Sequence, residues 1–232
     1  MPPVTPATLA HSPLEPLVQK AGATMVARNG WLVAAHYGSP GGEMALCDQG
    51  VGLADRSDLG KLELRGDAEA VEQLVGQLTG GQVLSGEALL AAGAWWCAVS
   101  GEHVIALSDA GQTERVRSAV GEAARWTPGV TVTDLTARLA ALGLLGPGTE
   151  DLLEELSGAR PALRNVEPPA FQSTLLAAIP VMLLRASATR AVVLTDTGRA
   201  TGLWTEIERA GRDAGLGHVG ADVVAHFSPL VS

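Results

Sequence analysis

Val51-Gly-Leu-Ala-Asp-Arg-Ser57 and Val130-Thr-Val-Thr-Asp-Leu-Thr136 are two copies of one segment, and the chain around them repeats in step. Each copy is followed by an apolar strand, a glycine turn and a stretch whose apolar residues have helical spacing. Each half then has two further strands and a related turn before a helix, Leu-Ser-Asp-Ala-Gly at 107–111 and Leu-Thr-Asp-Thr-Gly at 194–198. The period of roughly 80 residues is far longer than the roughly 20–50 residues of a solenoid repeat, so we predict one duplicated domain.

The connections between these predicted strands set the fold class. Strands joined by tight turns, without helical crossovers, pair antiparallel. We therefore predict an internally duplicated α+β fold with mainly antiparallel sheets flanked by helices. Residues 1–20, rich in proline, are predicted to be an extended N-terminal arm. Residues 21–128 and 129–232 are predicted to be the two α+β halves of one compact domain, and the seam between them is a natural place for a ligand cavity.

Local turn signals add detail at four places. Ahead of the repeat, Asn29-Gly30 predicts a small hairpin or a helix-and-strand lead-in, and Ser39-Pro-Gly-Gly42 predicts a loop. Asp109 and Asp196 each precede a predicted helix, where a carboxylate can accept backbone N–H bonds at the positive end of the helix dipole. Both are predicted to be helix caps.

Asp55 and Asp134 occupy equivalent places in the two halves, each two residues before a hydroxyl side chain. A buried acid at such a place can act as a general base or bind a cationic ring nitrogen. The alternative is a turn in which the carboxylate accepts a local backbone N–H bond. Because a turn is needed in both halves and an active site only once, the repetition favours the turn.

Composition excludes several classes of partner. The chain has 232 residues, 47% of them hydrophobic, and a net charge of −9, as expected of a folded globular protein. That charge repels nucleic acid and anionic membranes. The longest apolar run, 175–184, is broken by Pro180 and is too short to cross a bilayer of about 30 Å. Because residues 1–10 lack the pattern of a signal peptide, we predict a cytoplasmic protein.

Most catalytic and cofactor motifs are absent from the sequence. The five histidines and the two cysteines, Cys47 and Cys97, lack metal-ligand spacing, so we predict no metal site and two core cysteines. No phosphate-binding glycine loop and no serine nucleophile motif occurs. Trp95 and Trp96 are the only adjacent aromatic rings, and at most one of them can line a given pocket, since strand residues alternate between faces. Trp96 is our candidate stacking face for a ring compound.

Short sequence segments follow one another along the chain in the same order as in a known protein family. The pieces are Gly22-Ala-Thr-Met25, Gly30-Trp31, Tyr37, Glu43, the segment 51–61, 132–136 with Leu144-Leu-Gly-Pro147, Leu203-Trp204, Ala210-Gly211, Gly215-Leu216 and Gly220-Ala221. Taken together, over about residues 13–225, they resemble the folate-binding T protein of the glycine cleavage system, the aminomethyltransferase family. They also resemble the related folate-binding domains of sarcosine and dimethylglycine oxidases.

This resemblance implies a central cavity between the duplicated halves, tetrahydrofolate as the cofactor and one-carbon or methyl transfer as the chemistry. Three residues carry over from matching family positions as ligand contacts: Met25, Tyr37 and Arg185. From the residues alone, Met25 fits a gap-filling core role equally well, and Arg185 fits a surface position along its strand. For Tyr37 we favour a pocket, because a buried hydroxyl must find a partner.

The sequence departs from the family at the positions where the family has its catalytic and pterin-binding acids. The family's catalytic aspartate falls on Val116, and its pterin-binding glutamate has no counterpart in the stretch 185–190. Leaving pterin N–H groups unpaired costs about 1–3 kcal/mol. The remaining candidate catalytic acids are Asp109 and Glu114, with Asp55 as a candidate ligand residue.

Three functions follow as alternatives. The first is a protein of tetrahydrofolate-dependent one-carbon metabolism that has lost the family's acids. The second is a non-catalytic subunit, similar to the gamma subunit of heterotetrameric sarcosine oxidase, in a complex with a larger oxidase or methyltransferase subunit; the chain ends where the family's C-terminal barrel would begin. The third is a cavity retuned to another small ring compound.

Overall fold

The computed structural model describes residues 9–158 and 167–227. The strands are β1 Ala10–His11, β2 Thr24–Arg28, β3 Trp31–His36, β4 Val51–Asp55, β5 Gly60–Gly66, β6 Ala88–Ala91, β7 Ala94–Ser100, β8 His103–Ser108, β9 Val130–Asp134, β10 Leu139–Leu145, β11 Ala170–Leu176, β12 Ile179–Ser187, β13 Arg190–Asp196 and β14 Leu216–His218. The helices are α1 Glu15–Lys20, α2 Pro40–Gln49, α3 Ala68–Thr79, α4 Thr113–Arg125, α5 Thr149–Ser157, α6 Ala200–Ala210 and α7 Ala221–Phe227.

The strands form three sheets. A five-stranded sheet has the order β6-β7-β8-β5-β9, a six-stranded sheet has the order β11-β12-β13-β10-β4-β14, and a small sheet has the order β1-β3-β2. Neighbouring strands are antiparallel except at β1–β3 and β4–β14. The predicted α+β class with mainly antiparallel sheets is confirmed.

The two large sheets lie face to face between helices. Helices α3 and α4 cover the outer face of the five-stranded sheet, and α5 and α6 cover the outer face of the six-stranded sheet. A third apolar cluster fills the space between the inner faces of the sheets, and its buried members are Leu59, Ala88, Trp95, Cys97, Ile105, Leu107, Ala141, Phe171, Leu184 and Leu194. Burial of these side chains on both sheets holds the two halves together.

The two halves exchange their first strands. Strand β4 of the first half pairs with β10 in the six-stranded sheet, and β9 of the second half pairs with β5 in the five-stranded sheet. Each large sheet therefore contains strands from both copies of the repeat. The division of the chain at residues 128 and 129 stays a prediction.

In the first copy of the repeat, Asp55 and Ser57 form a turn that closes the exchanged strand. The Ser57 N–H donates to Asp55 Oδ1 at 3.0 Å, and the Ala141 N–H donates to Ser57 Oγ at 3.3 Å. Ser57 is buried, so its hydroxyl satisfies a backbone group that water does not reach.

The second copy repeats these bonds. The Thr136 N–H donates to Asp134 Oδ1 at 2.8 Å, and the Lys61 N–H donates to Thr136 Oγ1 at 3.0 Å. The turn interpretation of both aspartates is thus confirmed. The hydroxyl in each turn ties one half of the chain to the other.

Lys61 is fully buried beside the first turn. Its Nζ donates to the carbonyl oxygens of Ser57 at 3.0 Å and Leu59 at 2.8 Å. Burial lowers the pKa of this ammonium group to about 8, an effect that the carboxylates of Asp58 and Asp55 partly oppose. The protein holds a charged lysine in its interior at neutral pH.

Two local predictions differ from the structure near the N-terminus. Residues 10–11 form a strand and residues 15–20 form helix α1, where an extended arm was predicted; the rest of that arm, residues 1–8, lies outside the described residues. The loop predicted at 39–42 is instead the start of α2, because Ser39 caps this helix by accepting a bond from the Gly42 N–H and Pro40 fits its first turn.

The hairpin prediction is confirmed. Strands β2 and β3 pair antiparallel around Asn29 and Gly30, which both have positive φ angles, 50° and 80°. Two residues with positive φ twist a two-residue turn in the same sense as the flanking strands. Strands β6, β11 and β14 were not predicted, because their residues lack a strong alternation of apolar and polar side chains.

Replacing Thr136 with valine tests the tie between the halves. The substitution keeps the branched shape but removes the oxygen that accepts the Lys61 N–H, so we expect the free energy of unfolding to fall by about 1–3 kcal/mol. Urea denaturation measures this change. Thr131→Val, at an exposed position of β9, the strand that precedes this turn, is the matched control and should change stability by less than about 0.5 kcal/mol. Equal effects of the two variants would contradict the prediction.

The buried Lys61 predicts a pH dependence of stability. Between about pH 8 and pH 10.5 the folded protein loses this proton while the unfolded chain keeps it, so stability rises with pH in that window. Relative to Lys61→Met, the wild type should gain about 2–3 kcal/mol between pH 7 and pH 10. Urea denaturation at both pH values measures the difference. A gap between the two proteins that does not change with pH would show that Lys61 keeps an ordinary pKa.

Candidate functional site

A cavity lies between the inner faces of the two large sheets, and we call it the inner cavity. Both halves of the chain supply its walls, and the C-terminal helix α7 covers one side. Its lining residues are Arg56, Leu59, Trp95, Leu107, Asp109, Gly143, Leu145, Leu184, Ala186, Arg190, Ala191, Val192, Val224 and Phe227. This is the place where the sequence predicts a ligand cavity.

The inner cavity is small and largely apolar. Positions that the centre of a water-sized sphere can reach fill about 60 Å³, several times the volume that one water needs. Three charged side chains interrupt the apolar lining: Arg56, Asp109 and Arg190. In an apolar site a few such groups decide which ligand binds and in which orientation.

Arg56 and Asp109 form an ion pair at one end of the inner cavity. Arg56 Nη2 donates to Asp109 Oδ1, and Arg56 Nε donates to Asp58 Oδ1 at 3.3 Å. The Arg56 and Asp109 side chains are only 13% and 16% exposed. Burial acts to lower the pKa of Arg56, but the carboxylates of Asp58 and Asp109 more than offset it, so the pKa lies above its usual value. Arg56 therefore keeps its charge despite its burial.

Gly143 makes room for this arrangement. A Cβ atom at this position of β10 would lie 3.3 Å from Arg56 Cγ, tighter than almost all real contacts of this kind. The missing side chain lets Arg56 lie across the sheet and reach Asp109. The sequence offers one signal for this role, a glycine within an otherwise apolar strand, where a glycine often marks a close approach.

A second, more open groove lies on the other side of the ion pair, and we call it the outer groove. Its volume by the same measure is about 190 Å³. Its lining residues are Arg28, Asn29, Arg56, Asp58, Asp109, Ala110, Gly111, Ala221, Val224 and Ala225. Because Arg56, Asp109 and Val224 line both spaces, the ion pair lies between the apolar inner cavity and the outer groove, which is more polar.

The two adjacent tryptophans have opposite roles, as alternation along a strand requires. Trp95 lines the inner cavity, whereas Trp96 is buried in the core beneath α3 and α4 and donates from Nε1 to the Ala91 carbonyl at 3.0 Å. Trp96 is on the side of the strand that faces the helices, and its role as the stacking face stays a prediction. Trp95 is the residue in position to contact a ligand.

The candidate acids of the α4 region separate in the structure. Asp109 lies in the cavity wall, and its side chain pairs with Arg56 while Gln112 is the N-cap of α4, so the predicted capping role was wrong. Glu114 is 79% exposed and pairs with Arg117 at 2.7 Å, away from the cavity lining. Val116, the position of the family's catalytic aspartate, is buried in the helix-sheet core. A catalytic role for Asp109 or Glu114 stays a prediction.

The other predicted ligand residues lie outside the lining of the inner cavity. Met25 and Tyr37 pack against the core on the outer face of the six-stranded sheet. The Asp55 carboxylate belongs to the turn, and burial raises its pKa. Arg185 is buried and pairs with Glu150 of α5, with Nη2 at 2.6 Å from Oε1, so its surface alternative was wrong. Their ligand roles stay predictions.

Tyr37 stands in an unusual environment. Its hydroxyl is buried and has no hydrogen-bond partner among the described residues, contrary to the expectation that it would find one. Burial raises the pKa of this phenol, and the carboxylates of Asp55 and Glu43 add to the effect. The Tyr37 N–H donates to Glu43 Oε1 at 2.6 Å, and Glu43 Oε2 accepts the Gly220 N–H at 2.8 Å. Glu43 thus links the end of β3 to the start of α7.

The second predicted cap is confirmed. Asp196 is the N-cap of the short turn Thr197–Arg199 that leads into α6, and its carboxylate accepts the Gly198 N–H at 3.0 Å. In residues 9–158 and 167–227 no three His, Cys, Asp or Glu side chains are grouped as a metal site would require. No helix in that same part of the chain is long and apolar enough to cross a membrane.

The fold and its cavity define a class of protein, a duplicated α+β domain with a small apolar cavity between its two large sheets. The sequence profile described as the GCVT N-terminal domain matches residues 14–226, nearly the whole described chain. The chain belongs to this family. Among curated protein sequences none matches the chain.

Two solved structures share the fold. Glycine cleavage system aminomethyltransferase T from Bartonella henselae matches with a TM-score of 0.77 and 16% identity, over 94% of this chain and 61% of its own. This chain thus spans about three fifths of the length of that protein. A chain of heterotetrameric sarcosine oxidase from Corynebacterium sp. U-96, in complex with pyrrole 2-carboxylate, matches with a TM-score of 0.62 and 19% identity, over 90% of this chain and 97% of its own.

Removing the charge of Asp109 tests the ion pair. Asp109→Asn leaves Arg56 with Asp58 as its remaining partner in a largely buried place, so we expect the free energy of unfolding to fall by about 2 kcal/mol. Glu114→Gln, which also removes one negative charge but at an exposed site, should leave stability nearly unchanged. Urea denaturation measures the free energy of unfolding of both variants. A negligible effect of Asp109→Asn would mean that the pair contributes no net stability.

Proposed function

We propose that the inner cavity binds a reduced folate, such as tetrahydrofolate, or a similar small ring compound in one-carbon metabolism. The observation that carries this proposal is the pairing of an aromatic wall, Trp95, with a carboxylate, Asp109, in one apolar cavity. A pterin ring has apolar faces and an edge of N–H donors, and a carboxylate is the acceptor that matches such an edge. Membership of the GCVT N-terminal domain family supports the same ligand class.

Arg56 prepares Asp109 for this role. Its guanidinium donates to Asp109 Oδ1 and so fixes the position of the carboxylate in the cavity wall. An ionised carboxylate accepts hydrogen bonds and donates none. Asp109 is therefore suited to hold the N–H groups of a ring, and in this reading it positions the ligand.

Binding requires the cavity to widen, because a compound with two fused rings needs more room than about 60 Å³. The outer groove offers further space of about 190 Å³ directly beyond the ion pair. A ligand with a ring and a polar tail can place the ring in the inner cavity and the tail in the outer groove. In this binding mode the ligand passes the Arg56–Asp109 ion pair, which lies between the two spaces.

A second candidate function is a non-catalytic subunit of a larger oxidase or transferase complex in the cytoplasm. The near-complete coverage of one chain of a heterotetrameric sarcosine oxidase favours it, as does Trp126, a large apolar side chain that is 79% exposed. Native mass spectrometry of the protein isolated from its source tests this candidate. A stoichiometric complex with a larger subunit supports it, and an isolated chain contradicts it.

Calorimetric titration with tetrahydrofolate tests the first proposal. We expect a dissociation constant in the micromolar range or below, and at least a tenfold loss of affinity in Asp109→Asn, because one charged acceptor for the ring edge is lost. Glu114→Gln is the matched control and should bind as the wild type does, since Glu114 is exposed and is not among the residues that line the cavity. Absence of binding to the wild type, or equal affinity of Asp109→Asn, contradicts the proposal.

A further inference from the structure

Arg190 stands at the end of the inner cavity where α7 closes over the six-stranded sheet. It is the first residue of β13, directly after the turn from β12, and it is half-buried. Its guanidinium carbon lies 5.8 Å from the centre of the Phe227 ring. At this distance the cation interacts with the face of the ring, and its N–H groups remain available to an acceptor.

This guanidinium has no carboxylate partner among the described residues. The other arginines discussed above have carboxylate partners: Arg56 pairs with Asp109 and Asp58, and Arg185 pairs with Glu150. A chain with 25 acidic and 16 basic residues has acids to spare, yet none of the described acids forms an ion pair with Arg190. A half-buried guanidinium with five N–H donors can therefore receive an acceptor from a bound ligand.

The rest of the inner cavity restricts what that acceptor can be. The side chains next to Arg190 are apolar, among them Leu145, Val192 and Phe227, so the body of a ligand that fills this space is apolar. Arg56, the other cation in the lining, is already paired with two carboxylates, so Arg190 is the one lining cation without a carboxylate partner among the described residues. A singly charged carboxylate matches one guanidinium, whereas a phosphate dianion would need a second cation.

Asp109 sets the orientation of such a ligand. Its negative charge lines the same cavity and repels an anionic group from the end where Arg56 lies. An organic acid would therefore point its carboxylate toward Arg190 and its apolar or N–H-bearing end toward Asp109. The opposite charges of Arg190 and Asp109 thus favour one orientation of the ligand in the cavity.

We propose that Arg190 binds the carboxylate of an organic acid whose apolar body occupies the inner cavity. This inference uses the cavity of the proposed function, but it concerns a different part of the ligand. It holds for a reduced folate, which carries carboxylates, and equally for an aromatic acid without a pterin ring. Arg190 is then a specificity-determining residue.

Calorimetric titration with a matched pair of probes tests the inference. The probes are 2-naphthoate and the neutral 2-naphthalenemethanol, which share an apolar body and differ in the charged group. We expect the wild type to bind the carboxylate at least tenfold more tightly than the alcohol, and Arg190→Met to lose this preference. Arg190→Lys should keep part of it, because the charge remains while the planar fork is lost.

Arg209→Met is the matched control. It removes the same charge from an exposed arginine of α6 that pairs with Glu206, so it reproduces the change in net charge without touching the cavity. It should retain the full preference for the carboxylate. Equal binding of the two probes to the wild type, or an unchanged preference in Arg190→Met, overturns the inference.

A third probe separates this inference from the proposed function. A tetrahydropterin without a carboxylate tests recognition of the ring alone. If the tetrahydropterin binds and 2-naphthoate does not, the ring proposal stands and the carboxylate inference fails. If 2-naphthoate binds in an Arg190-dependent way and neither the tetrahydropterin nor tetrahydrofolate binds, the carboxylate inference stands and the folate proposal fails. If no probe binds, both fail.

Discussion

The exchange of first strands between the two halves is the constraint on which the rest of the structure depends. Because β4 completes the six-stranded sheet and β9 completes the five-stranded sheet, neither large sheet can form from one copy of the repeat. The exchange also fixes the two sheets face to face, and the inner cavity is the part of that interface which side chains leave unfilled. The turns after the exchanged strands, closed by Ser57 and Thr136, keep the strands in register.

The duplicated halves differ at the positions that supply charged side chains to the inner cavity. Arg56 in the first copy of the repeat corresponds to Leu135 in the second, and Asp109 corresponds to Asp196. In the first half these positions make an ion pair in the cavity wall; in the second, Leu135 is buried and Asp196 serves as a cap. The duplication thus built a symmetrical frame, and substitution at a few positions made one side of it polar.

The sequence predicts the helices and strands better than it predicts the residues of the inner cavity, and the reason is physical. Periodicity and repetition are local, and they locate elements such as α6 at its observed bounds, 200–210. The ion pair of Arg56 joins residues that are 53 positions apart, so no local pattern reveals it. Alternation along β7 shows that only one of Trp95 and Trp96 can reach a cavity, but which one depends on the side that the helices cover. The difference between Arg56 and Leu135 within the repeat was the available signal.

The proposed function requires a ring compound to occupy the space between the two sheets. Fluorine NMR of protein labelled with 5-fluorotryptophan tests it most directly, since the chain has five tryptophans and single Trp→Phe variants assign their signals. On addition of tetrahydrofolate, the account predicts a shift of the Trp95 resonance and none of Trp126, which is exposed. A shift confined to Trp126 or Trp31, with Trp95 unchanged, would contradict it.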